Sequence, residues 1–535
     1  MSSSTTASSA VTQRDRRPQR KRPPVALTLL ALLIALISLT PIGYLLVRGG
    51  LSPDLLLREL RSPTTGTLVV NTIVLTVCVT AVCIVLGVGL ALLVVRTDLP
   101  FRSLWTVLFA LPLGIPAFVT SYTWVATGYR VMPQSTFIYG LRGAVIVLSL
   151  AVYPYVYLPV VAALRGLDPA HEETARALGS NAFTAFFRVT LPQLRTAIAG
   201  GSLLIALHMM AEFGALELLR YQTLTTAIVQ RVTVLSAPEA ARTLSVVLAL
   251  GALILLGGDW LLRGQAAPTR TGGGVARPVT PWRLGTLKPF WLLFCLLLMA
   301  LALGIPLYSM VSGLVHALTH SGAAIGWAEL GAAAGYTAQT SIATALAATL
   351  VALPVSLLAV RFPGWIATLS ERATWIAHSL PGVVISLALV YLSVRWLYPF
   401  YQTSALLVAG YVILFLPIAV GAQQGGIVQA SPQYDNISRS LGAGPIITFL
   451  RVTLPLALPS VAAGAMLVFL NAGKELTMTL LLHPTGKHTL ATALWATTNG
   501  EVLDFSAAAP YAITLVVITA IPAFILIRHT LRPTR

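Results

Sequence analysis

The sequence predicts an all-α polytopic membrane protein of twelve transmembrane helices, arranged as two parallel six-helix repeats. Three observations predict it: an apolar composition, twelve apolar blocks of spanning length, and one loop sequence that occurs twice at a fixed offset. Of the 535 residues, 56% are hydrophobic and only 10% are charged, against about 25% charged in ordinary soluble domains. Crossing the hydrocarbon core takes about 20 helical residues, and there each backbone polar group must be paired within its own segment or in a closed barrel. The blocks are uninterrupted and lack the two-residue alternation of barrel strands, so they are read as helices.

Residues 1–24 are rich in Ser and Thr and then basic, with Arg14, Arg16, Arg17, Arg20, Lys21 and Arg22 ahead of the first block. This reads as a disordered cytoplasmic tail. The block from Val25 to Val47 is too long for a signal-peptide core and no cleavage site follows it, so it is kept as the first span. Five more spans are predicted near 68–95, 104–127, 143–164, 196–219 and 242–262, which makes residues 25–262 the first repeat. A Gly-, Pro- and Arg-rich stretch, 263–288, reads as a cytoplasmic linker. The second repeat, 289–528, holds spans near 289–313, 338–360, 374–397, 403–423, 456–482 and 508–528, and residues 529–535 form a second tail.

The sidedness follows from Lys and Arg. Of 35 such residues, 24 fall on the side shared by the N-terminus, the even-to-odd connections and the C-terminus, which places both termini in the cytoplasm. The same bias accounts for the net charge of +18 without nucleic acid as a partner; the bilayer is the partner. Cys78, Cys83 and Cys295 all lie inside apolar blocks, with no disulfide or metal-site spacing.

Residues 168–192 read DPAHEETARALGSNAFTAFFRVTLP, and residues 431–455 read SPQYDNISRSLGAGPIITFLRVTLP. At an offset of 263, Pro169 meets Pro432, Arg176 meets Arg439, Leu178-Gly179 meets Leu441-Gly442, and the run from Arg188 to Pro192 meets the run from Arg451 to Pro455. Each copy follows the fourth span of its half and precedes the fifth, so the halves are parallel repeats. Asp168 and Ser431 suit a helix N-cap, Pro169 and Pro432 the first helical position, and Glu172, Glu173 and Asp435 the opening turns against the positive helix end. Gly179 and Gly442 then let the chain leave helical geometry without a Cβ penalty.

These loops resemble the EAA motif of permease subunits in binding-protein-dependent ABC importers, whose pattern is Glu-Ala-Ala, three residues, Gly, nine residues, then aliphatic-x-Leu-Pro. The first copy matches at Glu173, Ala175, Gly179, Val189, Leu191 and Pro192; the second keeps Gly442, Val452, Leu454 and Pro455 but has Asn436-Ile437-Ser438 at its start. The resemblance implies the type I importer permease fold, with family cores at about 67–262 and 336–528. It also implies that the loops dock ABC ATPase subunits, as a dimer, and that an extracytoplasmic substrate-binding protein delivers the cargo. The location implied is the inner or plasma membrane. Stretches such as LPLGIPAFV at 111–119, LPGVVISLALVYL at 380–392, AEFGALELLRYQTLTTAI at 211–228 and KELTMTLLLHPTGKHTLATAL at 474–494 resemble fused ferric-iron permeases. Ferric iron is therefore the substrate expected; thiamine, polyamines, phosphonate and other anions are carried by related permeases.

No catalytic residue and no metal site is expected in this chain. The phosphate-cradling GxxxxGK[S/T] loop is missing, since Leu481 stands where its first Gly would precede Gly486-Lys487. ATP and Mg are thus expected to be used by the partner ATPase, with no cofactor held here. His208, Met209 and Met210 are read as packing or a polar helix contact rather than as ligands, and ferric iron also prefers hard oxygen donors. Glu212 and Glu475 correspond at the offset of 263 and fall within the fifth and eleventh predicted spans. Acids in membrane helices are costly and usually face a bundle interior or aqueous cavity, so both are candidates for the translocation path; a place near the outer interface is the alternative. An ion-coupled secondary transporter is the competing class, and the paired loops speak against it.

Overall fold

The structure, a computed structural model, describes residues 23–50, 57–59, 61–167, 170–235, 237–263, 281–319, 326–498 and 505–530. The tail at 1–24 lies outside these but for Pro23 and Pro24, as do Asp168, Pro169, 264–280 of the linker and 531–535. Among the described residues every regular element is helical, apart from one parallel bridge between Thr97 and Trp282.

The first half runs α1 (Val25–Gly50), α2 (Pro63–Arg96), α3 (Arg102–Leu108), α4 (Ala117–Val131), α5 (Gly140–Val152) and α6 (Pro154–Gly166). It continues through α7 (Ala170–Ala177), α8 (Ala182–Ala185), α9 (Leu191–Ala211), α10 (Gly214–Leu218), α11 (Leu224–Thr233) and α12 (Pro238–Arg263). The second half opens with α13 (Lys288–Met299) and α14 (Ile305–Thr319), joined by one wide turn, then α15 (Trp327–Arg361), α16 (Trp365–Ser379), α17 (Gly382–Trp396) and α18 (Ser404–Gln429). It ends with α19 (Pro432–Ser440), α20 (Pro445–Thr448), α21 (Leu454–Gly473), α22 (Thr477–Leu482), α23 (Leu490–Thr498) and α24 (Phe505–Thr530).

Among the described residues ten helices are long and apolar enough to cross a membrane, and two bent pairs bring the number to twelve if each pair is one span. The pairs bend by 91° between Arg102–Gly114 and Ala117–Val131, and by 102° between α16 and α17. Proline sets both bends. Pro116 and Pro381 exclude helical geometry from the residue before them, and Ile115 and Leu380 are indeed extended, at ψ 122 and 133. The fifth and eleventh spans are shorter than their sequence suggests, because α9 stops at Ala211 and α21 at Gly473 rather than running to 219 and 482.

The opening helix of each half lies against the other half. Helix α1 packs on α15, α16 and α17, with the rings of Tyr44 and Tyr391 4.7 Å apart. Helix α14 packs on α4, where Arg130 Nη1 donates to Ser312 Oγ at 2.7 Å. Inside each half the long core helix is central: α2 packs against α6 and α9, and α15 against α18 and α21. Leu29, Leu33, Leu36, Leu293, Leu296 and Leu297 remain exposed on the outer helices, a surface suited to lipid as the solvent.

The segment that opens the second half is pinned to the end of α2. Trp282 N donates to Arg96 O at 2.7 Å, Asp98 N to Trp282 O at 3.1 Å, and Leu284 N to Asp98 Oδ1 at 2.8 Å. The hydrogen bond from Lys288 Nζ, 2.7 Å from Asp98 Oδ2, holds the Asp98 carboxyl below the usual carboxylate range, helped by the Leu284 N–H.

Candidate functional site

Each repeated loop is a short helix, a glycine elbow and a second short helix that runs into the next span. In the first copy Gly179 N donates to Arg176 O and Ser180 N to Ala175 O, both at 3.0 Å. In the second, Gly442 N donates to Arg439 O at 3.0 Å and Ala443 N to Ser438 O at 3.2 Å. This paired pattern is the Schellman ending of a helix and needs a left-handed residue at its corner. Gly179 and Gly442 supply it, at φ 91 and 86. Among the described residues a Cβ would meet nothing within 4 Å at either site, so conformation, not space, demands glycine there. Ser431 accepts from Gln433 N as the second helix cap.

The elbow presents an apolar tip. Leu178 and Leu441, equivalent at the offset of 263, are each 82% exposed. Glu173 and Asn436 are exposed beside them, whereas Ala175 is half-buried. After α8 and α20 the chain takes one π-helical turn, Phe186–Thr190 and Phe449–Thr453, in which Leu191 N donates to Phe186 O and Leu454 N to Phe449 O. Pro192 and Pro455 explain the widening, since a proline lacks the N–H that would bond four residues back and its ring crowds that carbonyl. Val189, Leu191, Val452 and Leu454 are half-buried at these turns, and Pro192 and Pro455 are exposed.

A second feature of the loops was not read from the sequence. Glu172 is buried, 3.2 Å from Arg96 Nη1 at the end of α2, and accepts from Thr190 Oγ1 at 3.2 Å. Asp435 stands 3.1 Å from Arg361 Nη2 at the end of α15 and accepts from Thr453 Oγ1 at 2.8 Å. The acid shared by the two loops is thus Glu172 with Asp435, while Glu173 has only Asn436 opposite it.

Between the halves lies a cavity of about 480 Å³, lined by Phe118, Tyr155, Leu207, His208 and Glu212 from one half and by His378, Phe415, Asn471, Lys474 and Glu475 from the other. Both glutamates sit at a helix break. Glu212 Oε1 accepts from Ala215 N, and Glu475 Oε1 from Met478 N, each at 3.0 Å, so each carboxylate caps the short helix that follows. This interrupts the spans that the sequence had left continuous. The surroundings differ: His208 Nε2 lies 3.5 Å from Glu212 Oε2, where the second half has Asn471, and Ala211 has Lys474 as its counterpart at the offset of 263. Met209 and Met210 are buried in packing. Among the described residues no group of three or more His, Cys, Asp or Glu could hold a metal ion, and the polar groups of the cavity are scattered along its wall.

The chain matches the family described as binding-protein-dependent transport system inner membrane component over residues 83–264 and 349–532, one stretch in each half. It is 36% identical to the Fe(3+)-transport system permease protein FbpB 2 of Haemophilus influenzae, across 96% of this chain and 100% of that protein. It is 29% identical to the molybdenum transport system permease protein ModB of Escherichia coli, across 33% of this chain and 84% of that one. A sulfate transport system permease protein, CysT of Escherichia coli, is 27% identical over 32% of this chain and 67% of its own length.

Proposed function

Because the chain belongs to the family of binding-protein-dependent transport system inner membrane components, we propose that it is the permease of an ABC importer that carries ferric iron across the membrane. The observation that carries the substrate is the end-to-end match to the Fe(3+)-transport permease, which includes both halves in one chain. The molybdenum and sulfate relatives match about a third of this chain.

In this reading the two loops face the cytoplasm, as do both termini, and each takes one subunit of a dimeric ATPase that uses ATP and Mg. Leu178 and Leu441 are the apolar anchors, and Gly179 and Gly442 keep the elbows rigid. Glu173 adds an exposed charge to the first loop only. On the other face of the inner or plasma membrane an extracytoplasmic binding protein delivers the cargo. Glu212 and Glu475 offer oxygen along the cavity, which suits a hard cation, and water filling that cavity during transport would relieve the cost of an acid in the membrane.

Deleting the coding sequence and measuring uptake of radiolabelled ferric iron, molybdate, sulfate and thiamine tests the assignment. Loss confined to ferric iron is the expected result. Retained iron uptake with loss of molybdate uptake would favour the second reading, an oxyanion permease, which the ModB similarity over most of that protein supports.

A further inference from the structure

We propose that Arg96 and Arg361 are positioning residues for energy coupling: each clamps the docking helix of its own half to the core helix that packs on the cavity-lining spans. This rests on the docking reading of the loops. The clamp is built twice. In the first half Arg96, 2% exposed, faces the buried carboxylate of Glu172, and Thr190 donates to the same oxygen, Oε2. In the second half Arg361 faces Asp435 Oδ2, Thr453 donates to Oδ1, and Arg361 Nη2 also donates to Ala430 O at the end of α18, at 2.7 Å.

Two properties make these contacts more than surface ion pairs. Among the described residues neither Nε nor Nη1 of Arg96 has an aligned hydrogen-bond acceptor, and the Glu172 carboxylate is the acid that faces this buried guanidinium. A buried charge that loses its partner is strongly disfavoured, which ties α7 to α2 tightly. The threonines lie in the π-helical turns that lead into α9 and α21, so three elements meet at each acid: the docking helix, the core helix and the root of a span that lines the cavity. A docked ATPase that moves α7 or α19 would then carry the cavity wall with it, not merely swing a loop on its glycine elbow.

The first clamp also reaches the segment that leads into the other half. The Arg96 carbonyl accepts from Trp282 N, and the Trp282 ring stands edge-on to Phe186, 6.2 Å between centroids, in the same π-helical turn. The start of the second half is thereby fixed beside the first docking helix.

The test uses the full chain assembled with its ATPase subunits in proteoliposomes, with binding protein and radiolabelled ferric iron. Glu172→Gln and Asp435→Asn should keep ATPase association, and uptake per ATP hydrolysed should fall about tenfold, the scale of losing a charge-assisted contact. Glu172→Asp, the acid the second half already carries, should restore most of the coupling. A purely structural role would lower the amount of assembled protein and leave uptake per ATP unchanged, which would overturn the clamp. The double variant Gly179→Val with Gly442→Val serves as the docking control. If it loses ATPase association while the acid variants keep wild-type coupling, docking stands and the clamp alone fails; if it keeps association, the docking reading and the clamp fall together.

Discussion

The Arg96 guanidinium lies 3.2 Å from the Glu172 carboxylate, joining the end of the first core helix to the helix that opens the repeated loop. Arg361 and Asp435 repeat the relation at 3.1 Å. The acid at this position joins the loop to its own half, and the neighbouring position, Glu173 or Asn436, is exposed.

Leu178→Ala and Leu441→Ala should each weaken ATPase association about tenfold, the scale of removing an apolar anchor from an interface. Insertion should be unaffected, because both side chains are 82% exposed in the isolated chain. Pull-down of ATPase from detergent-solubilised membranes checks this, and wild-type recovery with the double variant would contradict it.

Gly179→Val and Gly442→Val should distort the elbows, since a side chain in the left-handed region costs about 1–2 kcal/mol and β-branched residues fit it worst. The tips would be re-aimed, not crowded, because nothing lies within 4 Å of the added Cβ. ATP-dependent uptake should be lost with the protein still in the membrane; normal uptake by both variants would count against a rigid elbow.

The loops contribute unequally if an exposed acid assists docking. Glu173→Ala should then reduce coupled ATP hydrolysis more than Asn436→Ala, and equal losses would remove the asymmetry.

The loops were legible in the sequence because their signals are local: caps, glycine elbows and the Arg-Val-Thr-Leu-Pro run all fall within a short segment at one offset. The clamps were not legible. Arg96 and Arg361 are related by an offset of 265, not the 263 that aligns the loops, and charged partners far apart in the chain leave no periodic trace. Pro116 and Pro381 were visible, yet each was absorbed into a span of adequate total apolarity and only the structure reveals the bends. The breaks after Ala211 and Gly473 carry no proline; there the glutamates cap a new short helix, which hydropathy does not register.

Glu212 and Glu475 combine capping with a place on the cavity wall, and two substitutions separate these roles. Glu→Ala at either site removes the cap, a loss of about 0.5–2 kcal/mol in stability. Glu→Gln keeps an acceptor oxygen but removes the charge. If the path uses the charge, the Gln variants should insert normally and lose most uptake. Single cysteines at 212 and 475 should react with a membrane-impermeant thiol reagent, and labelling should change with nucleotide state. Full transport by both Gln variants would reduce these residues to caps.

The most direct measurement is ATP-driven uptake of radiolabelled ferric iron into proteoliposomes that hold only this chain and its ATPase, with the binding protein supplied on the outer side. Uptake should require ATP inside the vesicle and disappear when both elbows carry Gly→Val. Uptake that persists without the ATPase and follows an imposed ion gradient would contradict it and identify the chain as a secondary transporter.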